Sequence, residues 1–273
     1  MKFVAFVDVL GFRKKIQTID HVEAVQLIKK FNQIIFNLWS EGKFKDKSKI
    51  KGRTFSDSFI IWSASDSVNE LILILDFLIE LYKRAFIECD FLLRGGLAVG
   101  EYYDHRATEF NNLNKAVMVG NGFIDAYLIE SSFHIKGSKI LFGENIFNII
   151  ETANELNDYR CRLKEVTRDS KIIYEIRWED AQFLVMDNFA GLIKFVSLAC
   201  DSDWLDHYFK TMDVFLIGES QSFKLRIFEK IIEIINEHFD FKMLDLFIEN
   251  FLKCDNSVIM KKSFLAFLRK KIK

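Results

Sequence analysis

Up to about Trp178 the apolar positions alternate between short continuous runs and stripes at three- and four-residue spacing, whereas beyond it only the stripes continue. The first run, Phe3 to Val7, has the pattern of a strand buried on both faces. It stops at a carboxylate, Asp8, with Gly11 close behind. Between about Asp20 and Trp39, Val22, Val25, Ile28, Phe31, Ile35 and Leu38 recur at helical spacing, and Asp20 is placed to cap that helix. A charged loop, EGKFKDKSK, leads to KIKGRTF and SDSFIIWS, which predict two strands folding back around Ser56-Asp57. A helix over about Ser67 to Phe86 and a strand through FLLRGGLAVGEYY follow. The polar segment DHRATEFNNLN reads as a loop, VMVGNGFIDAYLIE as a short strand, a glycine turn and a helix, and KILFGENIFNII as a strand and a helix. DYRCRLKEV and KIIYEIRW close the unit as two further strands, and from about Asp180 FKLRIFEKIIEIINEHF and MLDLFIENFL are amphipathic helices.

This order predicts an α+β fold over residues 1–178, a mixed sheet with helices on one face, followed by an all-helical C-terminal extension over 179–273. It sets the ends of the first strand and the first hairpin side by side at the centre of the sheet. Asp8 is therefore expected close to Asp57.

Composition narrows the chemistry. Lys and Arg number 38 against 39 Asp and Glu, so the net charge of −1 argues against a nucleic-acid partner held by phosphate neutralisation. The basic tail KKSFLAFLRKKIK is too short to reverse that. Charge-free apolar runs stay short of a membrane span and no leader pattern opens the chain, so the expectation is a soluble, cytoplasmic protein. The four cysteines, Cys89, Cys161, Cys200 and Cys254, are scattered, and the five histidines do not fall at metal spacing with them.

Two carboxylates at neighbouring strand ends suit Mg²⁺ or Mn²⁺, which take oxygen ligands and keep positions open for substrate phosphates. The turn after Asp8, around Gly11 and Phe12, offers backbone N–H groups to a polyphosphate. Arg94 in LLRGGLAVG sits on a buried strand, where a guanidinium needs an anion, and the two glycines after it let something bulky approach the backbone. The plainer readings are a turn residue for Asp57, a structural ion pair for Arg94, and a solvated edge-strand position for Arg53.

FVDVLGF, TFSDSFII and LLRGGLAVG, in this order, resemble the first metal-aspartate strand, the second metal-aspartate hairpin and the R-[IV]-G-[IL]-x-x-G strand of the class III nucleotidyl (adenylate/guanylate) cyclases. VGNGFIDAYLIE is similar in part to that family's G-x-x-V-N-x-A-x-R-L helix start. The resemblance spans residues 3 to about 178 and implies a head-to-tail homodimer with a nucleoside triphosphate site at each interface. It implies two Mn²⁺ or Mg²⁺ ions per site, held by Asp8, Asp57 and the main-chain carbonyl of Val9. The amides of Leu10, Gly11 and Phe12 would hold phosphates, Arg94 would grip the β/γ end, and Asp8, Asp57 and Arg94 would form the catalytic set of a phosphorus–oxygen lyase.

Two departures refine the picture. Four residues before Asp57, where relatives of this kind read the base, stands Arg53. An all-donor side chain disfavours guanine, and its length shortens the pocket towards a pyrimidine, with cytosine and uracil both open. Where the family has an Asn and an Arg that steady ribose and transition state, this chain has Ile124 and Leu128. Asn121, Asp125 and Tyr127, or Arg168 and Lys171 in the last hairpin, are the candidates to replace them, with Asn121 and Asp125 assigned to the nucleotide. Such divergence beside an intact metal half is most similar to the pyrimidine cyclases of Pycsar anti-phage systems, which make cyclic CMP or cyclic UMP for a separate effector. The alternative is a non-catalytic nucleotide-binding or dimerisation module of the same fold. A two-carboxylate transferase of the diguanylate cyclase kind lacks its GG[DE]EF-like hairpin here.

Overall fold

The computed structural model describes residues 1–46, 49–110, 113–131, 136–168, 171–201 and 205–238. The chain divides into two compact units, Met1–Ile135 with Lys139–Trp178, and Lys136–Ser138 with Glu179–Lys273.

The first unit is built on a seven-stranded sheet. In chain order its elements are β1 (Lys2–Val9), α1 (Phe12–Thr18), α2 (His21–Ser40), β2 (Ile50–Phe55), β3 (Ser58–Ser63), α3 (Val68–Cys89), β4 (Leu93–Gly100), β5 (Tyr103–Phe110), β6 (Leu113–Val119), α4 (Asn121–Ser131), β7 (Ile140–Phe142), α5 (Glu144–Thr152), α6 (Asn157–Arg160), β8 (Leu163–Arg168) and β9 (Lys171–Ile176). The strand order is β2-β3-β1-β4-β7-β9-β8, and β5 pairs only with β6. The β4–β7 pair is parallel and the others are antiparallel, which makes the sheet mixed as expected. Asp20 does cap α2, accepting from the Glu23 amide at 2.9 Å. The segment DHRATEFNNLN departs from its reading as a loop: it forms most of the β5–β6 hairpin. With only each other to pair with, these strands do not need the apolar alternation that marks a strand over a core.

Side-chain alternation decides what each face carries. On one face a Cβ at Gly52 would meet Phe59 and Trp39, and Trp39, Phe44, Phe59 and Phe77 form an aromatic cluster among α2, α3 and the sheet. The ring of Phe147 on α5 stacks on Tyr174, a neighbour of Phe142. On the opposite face Val4, Ile60 and Trp62 pack with Tyr102, while Phe6 meets Phe123 and Tyr127 edge-on from α4. Helices α2, α3 and α5 thus share one face, and α4 lies on the other. A buried Lys139–Glu175 ion pair links β9 to the residue before β7, and Lys164 stands 3.4 Å from the same carboxylate.

In the second unit the described helices are α7 (Gln182–Asp201), α8 (Leu205–Phe215) and α9 (Gln221–His238). Phe195 of α7 packs edge-on against Tyr208 and Phe215 of α8. By length and composition α7 alone among the described residues is apolar enough to cross a membrane, but non-helical backbone at Met186–Phe189 breaks it. The predicted helix at MLDLFIENFL and the basic tail lie outside the described residues.

Candidate functional site

Asp8 is the last-but-one residue of β1, and the register gives it a neighbour on each side: Ser58 on β3 and Arg94 on β4. The period-two alternation that sends Val7 and Val9 to the α3 face sends Asp8 to the α4 face. The Ser58 hydroxyl donates to Asp8 Oδ1 at 2.8 Å. Asp57 sits at the tip of the β2–β3 turn, where Ser56 adopts a left-handed φ of 49°, and its main-chain carbonyl accepts from the Val9 amide at 3.2 Å. The two residues that the sequence pairs thus adjoin through the main chain, close enough for the Asp57 charge to act on Asp8. Burial pushes the Asp8 carboxyl up to about 6; the Ser58 hydrogen bond opposes this, while the charges of Asp57 and Glu130 add to it and Arg94 subtracts.

The turn behind Asp8 differs in one respect from its sequence reading. The Leu10 amide donates to the Leu92 carbonyl at 2.8 Å, extending the β1–β4 pairing, so it is not available to a phosphate. Gly11 takes the left-handed conformation, φ 70°, that starts α1. The amides of Gly11 and Phe12 fall in the opening turn, where the first N–H groups have no intrahelical partner. Phe12 itself is buried against Phe91.

Arg94 shares the face of Asp8, with its guanidinium against a carboxylate that sequence reasoning missed. Arg94 Nε donates to Glu130 Oε1 at 2.6 Å, and Nη2 also contacts that oxygen. Glu130 ends an otherwise apolar stretch of α4 and is buried. The only signal for it was a charge one turn after Ala126, on the side of the helix that meets the sheet. The glycines after Arg94 serve the protein itself: a Cβ at Gly95 would lie 2.8 Å from the Tyr82 hydroxyl, and one at Gly96 only 2.1 Å from the Ala126 carbonyl of α4.

Arg53 is not solvated. It lies on the edge strand β2, at the level of Ile60 on β3 and Phe6 on β1, with its side chain 5% exposed. Nη2 stands 2.6 Å from Asp104 of β5, yet none of the three guanidinium nitrogens makes an aligned hydrogen bond among the described residues. The Tyr102 hydroxyl beside them is buried and also without a partner there; burial, then the Asp104 charge, raises it to about 12. Asp104 was read as part of a loop and went unremarked for that reason.

The other assigned residues lie elsewhere in this chain. Asn121 accepts from the Glu101 amide at 2.7 Å, by Gly100, which pairs with Lys2 at the far end of β1. Six strand residues at ~3.4 Å each separate that end from Asp8, about 20 Å. Asp125 and Lys171 line a groove of ≈ 470 Å³ with Leu97, Leu128 and Glu144, apart from Asp8 and Arg53. Ile124, Tyr127 and Leu128 are 54%, 46% and 45% exposed, so α4 turns apolar side chains outward. The Arg168 side chain lies outside the described residues. No group of three or more His, Cys, Asp or Glu suited to a metal occurs among the described residues.

No family model matches the chain, and no curated protein matches it in sequence. Solved structures do. A dimeric guanylyl cyclase domain of the RhoGC fusion protein from the aquatic fungus Blastocladiella emersonii matches with a TM-score of 0.50 at 14% identity, over 64% of this chain and 92% of that one. A monomeric double mutant of the same domain matches with 0.50 at 12% identity, over 64% and 93%. The adenylyl cyclase CyaB from P. aeruginosa matches with 0.49 at 14% identity, over 64% and 92%. At these identities the likeness is one of architecture: the mixed sheet and its helices have the class III cyclase fold.

Proposed function

We propose that this protein is a nucleotide cyclase that converts a pyrimidine triphosphate, CTP or UTP, to its 3′,5′-cyclic monophosphate and pyrophosphate. The observation that carries the proposal is the meeting of Asp8 and Asp57 at adjoining strand ends, with Arg94 as the next-strand neighbour of Asp8. A half-buried carboxyl lifted to about 6 beside a second carboxylate is a site with excess negative charge. Carboxylates at adjoining strand ends suit Mg²⁺ or Mn²⁺, which draw their other oxygens from water and phosphate. Asp8, Asp57 and the Val9 carbonyl would hold these ions, which when bound supply Lewis-acid activation of the ribose 3′-hydroxyl and neutralise charge on the phosphates.

The chain's own groups do the rest by positioning. The amides of Gly11 and Phe12 would orient the phosphates, and Arg94 would hold their β/γ end in line with the 3′-oxygen. The 3′-hydroxyl releases its proton to water, the bond from its oxygen to the α-phosphorus forms as the bond to the bridging oxygen breaks, and pyrophosphate leaves. For the base, Arg53 supplies donors and Asp104 an acceptor from one side. Cytosine matches with N3 and its amino group, uracil with O4 and N3–H. Desolvated donors without aligned partners are costly in the ligand-free protein, and a base edge that pairs with them recovers that cost.

The remaining half of each site would come from a second copy, in a homodimer whose interface includes α4. Its apolar outer face, Ile124, Tyr127 and Leu128, supports such a contact. The likeness to Pycsar cyclases extends the proposal to a second messenger for anti-phage defence, read by a separate effector. Incubation with Mn²⁺ and each of the four nucleoside triphosphates, followed by mass spectrometry, tests the activity: cyclic CMP or cyclic UMP is expected, and folded protein that yields no cyclic product defeats it. Ile124 and Leu128, which cannot donate a hydrogen bond, favour a second reading, a nucleotide-binding or dimerisation module without turnover. That reading predicts triphosphate binding with no product.

A further inference from the structure

Helix α4 delivers a carboxylate to the guanidinium that the proposed function gives to the phosphates. Gly96 sets the approach, because a Cβ there would lie 2.1 Å from the Ala126 carbonyl oxygen, 2.9 Å from the Glu130 amide and 3.0 Å from Ile129 Cβ. The last turns of α4 rest directly on β4, and the Glu130 side chain is held at 4% exposure against Arg94, itself 20% exposed. Nε and Nη2 of Arg94 both address one Glu130 oxygen, which engages the side of the guanidinium fork able to grip a phosphate in two-point fashion. Asp8, the β1 neighbour of Arg94, adds a second negative charge. A triphosphate entering here meets the field of Glu130 and has to take donors that Glu130 already holds.

We propose that Glu130 is the resting counter-ion of Arg94: it holds the guanidinium in the nucleotide-free protein, yields it to the β/γ-phosphates on binding, and retakes it as pyrophosphate leaves. The inference rests on the reading of Arg94 as the phosphate grip. Separating a buried carboxylate from its partner is unfavourable, and that cost subtracts from nucleotide affinity. The same cost favours return of the pair, so Glu130 weakens ground-state binding and speeds product release. Glu130 is thus a positioning residue that acts through Arg94.

The test measures inorganic tripolyphosphate binding to the full chain by calorimetry in EDTA, for wild type, Glu130→Gln, Arg94→Ala and the double variant. Glu130→Gln is expected to bind about tenfold more tightly than wild type, equivalent to ~1.4 kcal/mol. In the Arg94→Ala background the same change is expected to gain less than about threefold, because the gain comes from freeing Arg94. Equal or weaker binding by Glu130→Gln overturns the proposal, as does a full gain without Arg94. If circular dichroism shows Glu130→Gln unfolded, Glu130→Asp replaces it, the shorter side chain lifting the charge from Arg94; at least threefold tighter binding is expected, and no change rejects the counter-ion role. In turnover Glu130→Gln should lower KM and kcat together, whereas a merely structural residue would lower kcat alone. Cyclic product from wild type without a tripolyphosphate gain in the variant rejects this inference and leaves the cyclase reading in place; a gain without any cyclic product does the reverse.

Discussion

Replacing Asp8 by Asn should stabilise the protein in the absence of metal while removing a ligand of the proposed metal site. Folding lifts the Asp8 carboxyl from 3.8 to about 6, chiefly by burial. At ~1.4 kcal/mol per pKa unit that is about 3 kcal/mol for a group fully withdrawn from water. Asp8 keeps part of its solvent exposure, and screening reduces the figure to about 1–2 kcal/mol. Because the folded state binds this proton more tightly than the unfolded chain, the contribution of Asp8 favours folding most below pH 4. It declines as the pH rises from about 4 to 6, and above that the ionised carboxyl is a constant burden. Asn keeps an oxygen for the Ser58 hydroxyl but carries no charge, so Asp8→Asn should gain ~1–2 kcal/mol at pH 8 and only about a third of that at pH 4.5. Urea unfolding in EDTA at the two pH values measures the gain. Mn²⁺ should then raise the wild-type midpoint and leave that of the variant unchanged, since a ligand stabilises only a state that binds it. A variant no more stable than wild type at pH 8, or one with an equal gain at pH 4.5, would refute the claim that buried charge is stored at this strand end.

Gly96→Ala drives a methyl group to 2.1 Å from the Ala126 carbonyl, and the displacement of α4 should lower stability by about 3 kcal/mol or more in urea unfolding. Lys139→Met leaves Glu175 buried beside only the more distant Lys164, a loss of ~3–5 kcal/mol by the same assay. Arg53→Lys keeps the charge near Asp104 but loses the fork, so the preference for the best pyrimidine triphosphate over ATP should fall at least about tenfold in kcat/KM, read by competition between the two substrates. Leu128→Asp places a charge on the exposed apolar face of α4 and, if the proposed homodimer forms through it, should leave a monomer in sedimentation equilibrium, with loss of cyclic product.

Asp8 and Asp57 were legible from the chain alone because each marks a local event, an apolar strand ending at a carboxylate and a turn between two strand-like runs. The helices α2, α3 and α9 were legible because an amphipathic stripe records which side meets a core. Arg94 was found as a guanidinium on a buried strand, but its partner was not: Glu130 stands 36 residues away, in a helix whose composition is apolar nearly all round. Nor does any local pattern say that β5 returns Asp104 to Arg53, 51 positions earlier in the chain on the edge strand β2. The glycines after Arg94 illustrate the limit, since their spacing announces a close approach without saying that Tyr82 and α4 make it. Leu10 shows the same from the backbone side, its amide taken up by strand pairing with Leu92. Periodicity and turn chemistry thus marked Asp8 and Asp57, for they are properties of neighbouring residues. Which charges face Arg53 and Arg94, and which amides are left to a phosphate, was settled by the packing of β5 and α4 on the sheet, because long-range ion pairs depend on distances that only the folded chain defines.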